Sequence, residues 1–305
     1  KIWNINSGEC LRTLEGHTNC VFSLAISSEG NLCSGSRDKS IKIWNINSGE
    51  CLRTLEGHKG GVSSLVISSK GYLCSGSYDK SIKIWNINSG ECLKTLKGHT
   101  SAVNSLVISQ EGYLCSGSGL SDKSIKIWNL KKWECLKTLE GHTGAVSSLV
   151  ISSEGYLCSG SLDNSIKIWN INSGECLRKL EGHTSSVGSL AISSEGYLCS
   201  GSGSRDYTIK IWNINSGECL KTLEGHTNWV LSLVISSEGY LCSGSWDKSI
   251  KIWNINSGEC LRTLEGHKGG VSSLVISSKG YLCSGSYDKS IKIWNINSGE
   301  CLRTL

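Results

Sequence analysis

The sequence predicts an all-β fold, a seven-bladed β-propeller of four-stranded antiparallel blades. Three observations carry this: a Gly-His pair that recurs seven times, a Trp ladder that keeps step with it, and four strand-length runs in every interval. The histidines are His17, His58, His99, His142, His183, His226 and His267, 41 residues apart except for two steps of 43. Trp44, Trp85, Trp128, Trp169, Trp212, Trp253 and Trp294 share that period, with Trp3 ahead of them. A four-strand unit of about 40–45 residues is the sequence signature of one blade.

The elements follow from one repeat. In repeat 2 the runs are Val62–Ser68, Tyr72–Ser77, Ser81–Ile87 and Glu91–Leu96, rich in Val, Ile, Leu and Trp. Turn chemistry separates them: Ser69-Lys70-Gly71, Tyr78-Asp79-Lys80 and Asn88-Ser89-Gly90. Ser, Gly and β-branched residues interrupt every window long enough for a helix. One propeller is expected over residues 1–305. The first fourteen residues, KIWNINSGECLRTL, are identical to the last fourteen. Residues 1–14 therefore compete with 292–305 for ring closure, and within them Glu9–Leu14 and Glu300–Leu305 compete for the outer edge of blade 7. The N-terminal copy, which leads directly into His17, is expected to win. The loser is a spare strand open to self-association.

Composition narrows the function classes. The net charge of +5 is evenly spread and the longest basic run is Lys131-Lys132, which argues against a nucleic-acid or polybasic membrane surface. No run approaches the roughly 18 apolar residues of a membrane helix, and no secretory leader is visible. The absence of Met predicts a processed form or a piece of something longer. Fifteen of the sixteen cysteines form two columns, one in the second strand (Cys33 in repeat 1) and one opening the fourth (Cys51), with Cys20 apart. Within a blade the columns lie about 9–10 Å apart across the third strand, beyond the roughly 7 Å a disulfide allows. No Cys-x-x-Cys suggests zinc. No metal and no cofactor is expected. Both columns read as small buried hydrophobes. Free thiols without an Asn-x-Ser/Thr sequon point to a reducing, cytoplasmic compartment.

Each repeat runs Gly-His, then Leu-Cys-Ser-Gly-Ser-x-Asp, then Ile-Lys-Ile-Trp, and in this it resembles the WD-repeat β-propeller family over essentially the whole chain. One departure is uniform: Asn follows each of these Trp residues, as Asn45 does in repeat 1, where the family usually has Asp. A Ser/His/Asp set would ordinarily suggest a nucleophilic triad. A triad is needed once, however, and this set occurs seven times with no G-x-S-x-G elbow. The resemblance implies instead a structural tetrad in each blade, Trp to Ser to His to Asp. The sets are His17, Ser34, Asp38, Trp44; His58, Ser75, Asp79, Trp85; His142, Ser159, Asp163, Trp169; His226, Ser243, Asp247, Trp253; and His267, Ser284, Asp288, Trp294. In repeats 3 (His99, Ser116, Asp122, Trp128) and 5 (His183, Ser200, Asp206, Trp212) two extra residues precede Asp, so the tetrad there needs a bulged turn.

The seven copies disagree mainly at three columns. These hold Cys20, Gly61, Ala102, Ala145, Ser186, Trp229 and Gly270; Phe22, Ser63, Asn104, Ser147, Gly188, Leu231 and Ser272; and Arg37, Tyr78, Ser121, Leu162, Arg205, Trp246 and Tyr287. The resemblance places them at the top rim of the central channel, where such propellers bind partners. Neutral drift is the alternative, and it leaves the uniform bottom turns unexplained. The large residues define a candidate partner-binding set: Trp229, Leu231, Trp246, Tyr287, Phe22, Arg37 and Arg205, with Leu162 and Tyr78 outside the main arc. Arg37 and Arg205 suit a phosphate or carboxylate. Trp133, in a variant bottom turn, is expected to pack on the outer face. The expected function is a non-catalytic scaffold for a protein or peptide ligand. The alternative is a sensor or interaction module of a larger signalling protein. An enzyme with its site in the channel would need a titratable cluster, and the variable columns offer two Arg and no His, Asp, Glu or Lys.

Overall fold

The computed structural model describes residues 1–305. It contains strands and no helix. Seven four-stranded antiparallel sheets, each built from consecutive strands, are the blades of a β-propeller. Blade 1 comprises Val21–Ile26, Asn31–Ser36, Ile41–Asn45 and Cys51–Leu55, and blade 2 Val62–Ile67, Tyr72–Ser77, Ile82–Asn86 and Cys92–Leu96. The ends of blade 2 fall within one residue of the runs read from the sequence.

Local chemistry sets the turns. Between the first two strands Gly30 adopts φ +80°, a conformation open to glycine, and its N–H donates to the Ser27 carbonyl at 2.9 Å. Between the third and fourth strands the residue after Trp shapes the hairpin. The Asn45 side-chain oxygen accepts from the N–H groups of Asn47 (2.9 Å) and Ser48 (3.0 Å), an Asx turn. This is the job of the uniform Asn, and a carboxylate oxygen could accept the same two bonds.

By its contacts the chain divides into two units. One is Lys1–Trp3, Cys10–Ile151 and Ile171–Glu175; the other is Asn4–Glu9, Ser152–Asn170 and Cys176–Leu305. In both, the core lies between neighbouring blades. In the first unit Cys33, Ile41, Ile43 and Leu55 of blade 1 pack on Val62, Leu65, Leu73 and Trp85 of blade 2. In the second, Cys242, Ile250, Ile252 and Leu264 of blade 6 pack on Val271, Leu274, Leu282 and Trp294 of blade 7. Glycine in the second strand lets the blades meet: a Cβ on Gly35 would lie 2.7 Å from a Val62 methyl, and one on Gly76 2.8 Å from Val103. The Ser-Gly-Ser run is thus a packing surface as well as a strand.

Two expectations are corrected. The outer edge of blade 7 is taken by the C-terminal copy. Cys301–Thr304 pairs with the third strand, Trp294 opposite Cys301 and Lys292 opposite Thr304. The local hairpin closes a shorter loop, which costs less entropy than recruiting the far end of the chain. The N-terminal copy instead forms a two-stranded sheet of its own, Ile2–Trp3 with Cys10–Arg12. The second correction concerns the cysteines, all sixteen of which are free. The second-strand column is buried in the inter-blade cores except for half-buried Cys283. The fourth-strand column is not: Cys10, Cys135, Cys176, Cys219, Cys260 and Cys301 are exposed, and Cys51 and Cys92 half-buried. The fourth strand is the outer edge of its blade, and the register shifts where Cys51 faces Trp44. That shift leaves the thiol beside its own strand, pointing at the Arg53 carbonyl at 3.4 Å.

Candidate functional site

A hydrogen-bond network inside the blades fixes the loops that carry the variable residues. In blade 2 the Trp85 indole donates to Ser75 Oγ at 2.8 Å. Ser75 Oγ lies 2.8 Å from His58 Nε2, and His58 Nδ1 lies 2.7 Å from Asp79 Oδ2. Directions follow from the inventory of donors. Asp79 is ionised, so Nδ1 carries the proton and donates to it. Nε2 is then an acceptor, and the single hydroxyl proton of Ser75 goes there. The same set is built around His17, His99, His183, His226 and His267, with His–Asp distances of 2.7–2.9 Å. In blade 4, Trp169 donates to Ser159 at 2.9 Å.

The two-residue insertions do not break the network. In blade 3 the N–H groups of Asp122 and Lys123 both return to the Gly119 carbonyl, at 3.0 and 2.8 Å. His99 keeps Asp122 at 2.8 Å and Ser116 at 2.7 Å. In blade 5 Arg205 (φ +72°) and Tyr207 (φ +57°) take left-handed conformations, and His183 holds Asp206 at 2.9 Å.

One participant escapes the four-residue description. A hydroxyl two residues after each Asp binds its other oxygen: Ser40 to Asp38, Ser81 to Asp79, Ser249 to Asp247 and Ser290 to Asp288, each at 2.6 Å. Ser124, Ser165 and Thr208 do the same in blades 3, 4 and 5. A Ser or Thr at this place in all seven repeats was the available signal. These bonds decide the electrostatics. Burial alone would push the Asp79 carboxyl up, but the Ser81 hydroxyl, the Lys59 N–H and His58 outweigh it and bring it down to about 2. Asp122 is held at about 2 in the same way. Burial is the largest influence on His58 and His99 and lowers both, against the opposing pull of Asp79 and Asp122. The Ser75, Ser116, Ser200, Ser243 and Ser284 residues are fully buried. A nucleophile must reach its substrate, and these hydroxyls face only their network.

In four blades a backbone bond ties the residue before Asp to the loop after His; in blades 3 and 5 Gly119 and Gly203 make that bond instead, to the Ala102 and Ser186 carbonyls. Arg37, Tyr78, Trp246 and Tyr287 donate their N–H groups to the carbonyls of Cys20, Gly61, Trp229 and Gly270, at 2.8–3.0 Å. Two variable columns are therefore stitched together along one rim of the blades. In the second unit Trp229 and Trp246 are joined by this bond, and each remains about 40% exposed. The Trp246 ring stacks on Tyr287 with centroids 4.6 Å apart and planes 11° apart. It also covers Gly270, where a Cβ would fall 2.8 Å from the ring. Leu231 is half-buried, while Arg205 and Leu162 are exposed. In the first unit Phe22 and Tyr78 meet at 5.8 Å, and both are exposed, as is Arg37. Tyr78, which the sequence set outside the main arc, thus has an aromatic partner. Phe22, Ser63, Tyr78, Asn104 and Ser147 line a shallow depression. Trp133 lies against the opposite end of blade 2, edge-on to Tyr72 at 5.6 Å.

Comparison with known proteins gives two findings. The WD40 family, described as WD domain, G-beta repeat, matches seven segments: residues 8–45, 49–86, 90–129, 133–170, 174–213, 217–254 and 258–295. Each match opens on the outer strand of one blade or hairpin and closes on the third strand of the next. Among solved structures the chain is similar to the computationally designed Ika8 protein, with 34% identity over 97% of this chain and 89% of that one, and a TM-score of 0.86. No curated protein sequence gives a significant match.

Proposed function

Since the chain belongs to the WD40 family, whose propellers are generally interaction scaffolds without catalysis, we propose that it is a non-catalytic platform for a protein or peptide ligand. The observation that carries this reading is the Trp229–Trp246–Tyr287 cluster. Three large aromatic residues sit on one rim, held by a backbone bond and a ring stack, and none is fully covered. Aromatic residues and Arg dominate the energetics of protein interfaces. A stacked pair is already ordered, so a ligand that covers it loses little rotamer entropy. The exposed Arg205 suits a ligand carrying a carboxylate or phosphate. Free thiols on the outer strands fit a reducing compartment, and we place the chain inside the cell.

A displayed-peptide library selected on the intact protein tests this. Peptides enriched on the native chain should bind the Trp229→Ala/Trp246→Ala variant about thirtyfold more weakly, corresponding to about 2 kcal/mol. Circular dichroism and melting should show that both proteins are folded. Undiminished binding to the double variant places the ligand elsewhere and removes this reading.

A further inference from the structure

We propose that the outer groove between blades 6 and 7 is a second binding site, which takes a tryptophan side chain followed by an acidic residue, presented by a partner polypeptide. The groove lies within the second unit and has a volume of about 280 Å³. Its walls are Tyr240, Ile252, Leu261 and Arg262 of blade 6, and Ile296 and Asn297 from the turn before the last strand of blade 7. None of these residues belongs to the variable columns of the rim.

The first unit contains the same groove with an occupant in place. The corresponding positions there are Tyr72, Ile84, Leu93 and Lys94 of blade 2, and Leu130 and Lys131 of blade 3. The turn of blade 3 carries Trp133 where blade 7 has Gly299. The two turns share one backbone form. Trp133 and Gly299 are both left-handed, with φ 59° and 79°, and their N–H groups donate to the carbonyls of Asn129 and Asn295 at 2.8 and 2.9 Å. A Cβ on Gly299 would point at the preceding blade, 3.0 Å from Arg262 Cδ and 3.3 Å from Leu264 Cδ2. From that position in blade 3 the indole of Trp133 reaches back to Tyr72, edge-on at 5.6 Å. Both rings pack on a core that includes Ile84 and Leu130.

The filled groove shows what the open one lacks. The fourth-strand residues Leu52, Leu136, Leu177, Leu220 and Leu261 are 37–41% exposed, whereas Leu93, at the filled groove, is half-buried. A ring seated on Leu261 would remove that apolar surface from water. Charge selects the neighbour of the ring. Arg262 is the one charged residue in the lining. A guanidinium has five donors, and Arg262 has a single acceptor, the Asn297 carbonyl. A carboxylate suits the donors that remain. In blade 3 the residue after Trp133 is Glu134, and it too meets a cation, Lys132 at 3.8 Å. An aliphatic side chain could cover Leu261 but could not stand edge-on to Tyr240. A second copy does not supply the ligand, because Trp133 is seated in its own chain and Asp247, which follows Trp246, is held in its network.

The test titrates the intact, isotope-labelled chain with a blocked peptide, Ser-Gly-Trp-Glu-Gly-Ser. The methyl groups of Ile252, Leu261 and Ile296 and the Nε–H of Arg262 are followed by NMR. Saturable shifts at these groups are expected, and a peptide with Ala in place of Trp should produce none. Arg262→Gln should weaken the Trp-Glu peptide about tenfold and leave a Trp-Gln peptide unaffected. Trp246→Ala should change nothing, so this site is tested apart from the rim. Two variants read the groove in cis. Gly299→Trp should seat its own indole against Tyr240, shift the Leu261 methyls and weaken the peptide by about tenfold or more. Trp133→Gly should empty the groove of blades 2 and 3 and give the peptide a second site at Tyr72 and Leu93. Equal shifts with the Ala peptide would overturn the proposal. So would an absence of saturable shifts, or a Gly299→Trp chain whose new indole stays mobile in solvent.

Discussion

At the scale of single residues, the buried network makes a sharp demand on Asp79. Its Oδ2 accepts from His58 at 2.7 Å and from the Lys59 N–H at 2.8 Å, and its Oδ1 from the Ser81 hydroxyl and the Ser81 N–H. Asp79→Ala leaves all four donors unmet and is expected to destabilise the chain by about 1–3 kcal/mol. Glu154→Ala, in an exposed turn, should stay within about 0.5 kcal/mol. Urea melts of the two variants decide it, and equal midpoints would remove the network as a source of stability. The same groups set the response to acid. His58 and His99 are lowered in the folded chain, so the unfolded chain binds protons first as pH falls below about 6.5. Asp79 and Asp122 are depressed to about 2 from 3.8, so their contribution is full above pH 4 and is lost as pH falls toward 2. Both signs agree. Melting temperature should decline from near pH 6.5 downward and more steeply below pH 4, and a flat profile from pH 7 to 3 would contradict the assignment. The tetrads were legible from recurrence, since one spacing repeated seven times cannot be seven active sites. The hydroxyl after Asp was equally regular, yet Ser is so common in turns that its regularity carried no distinct chemistry until the geometry gave it a partner.

At the scale of elements, second-strand glycines divide into those a neighbour presses on and one it does not. Gly244 would put a Cβ 2.8 Å from a Val271 methyl and 3.2 Å from its carbonyl oxygen, so Gly244→Ala should cost about 1–3 kcal/mol through overpacking. Gly285 stands at the same place in blade 7 with open space before it, and Gly285→Ala should be neutral or stabilise by about 0.4–1 kcal/mol through the unfolded chain. Thermal unfolding of this pair reads the blade contact directly, and equal losses would mean that the glycines serve the strand rather than the junction. Strand positions were legible because Val, Ile and Trp runs alternate with Gly and Ser turns on a fixed period. The choice between the two terminal copies was not legible. Identical sequences have identical local preferences, so only the length of the loop to be closed distinguishes Cys301–Thr304 from the distant Cys10–Arg12. The burial of the cysteine columns was half legible for a related reason. Cys33 and Cys51 are the same residue type in strands of similar composition, and only the position of a strand within its blade separates core from edge.

At the scale of the whole molecule, the thiols report the packing of all the blades at once. Cys33, Cys74, Cys115, Cys158, Cys199 and Cys242 are buried, and burial pushes each of these thiols up to about 12. Thiolate is the reactive form, so these six should be silent toward a disulfide reagent at pH 8. Seven exposed thiols, Cys20 among them, should react at once, and half-buried Cys51, Cys92 and Cys283 more slowly. Denaturant should release the remaining six together if the blades unfold as one cooperative body, and stepwise if they do not. Which rim residues cluster was only partly legible. The sequence singled out the variable columns, but the Trp246–Tyr287 stack and the Phe22–Tyr78 contact each join different repeats, and that adjacency exists only in the folded chain.

Every blade pairs only strands that follow one another in the chain, and the blades themselves differ little. Within a blade, folding therefore does not have to wait for distant segments to find each other, and any repeat can act as the seed from which its neighbours accrete. The same uniformity carries a hazard. Residues 266–302 duplicate residues 57–93, so a nascent blade meets surfaces in its own chain, and in adjacent chains, that accept it as readily as the right one. The two longer turns, at Gly119 and Gly203, and the odd turn at Trp133 are among the few marks by which one repeat differs from the next. Without such marks a chain of this kind would have many near-equivalent ways to assemble and little energetic reason to prefer one.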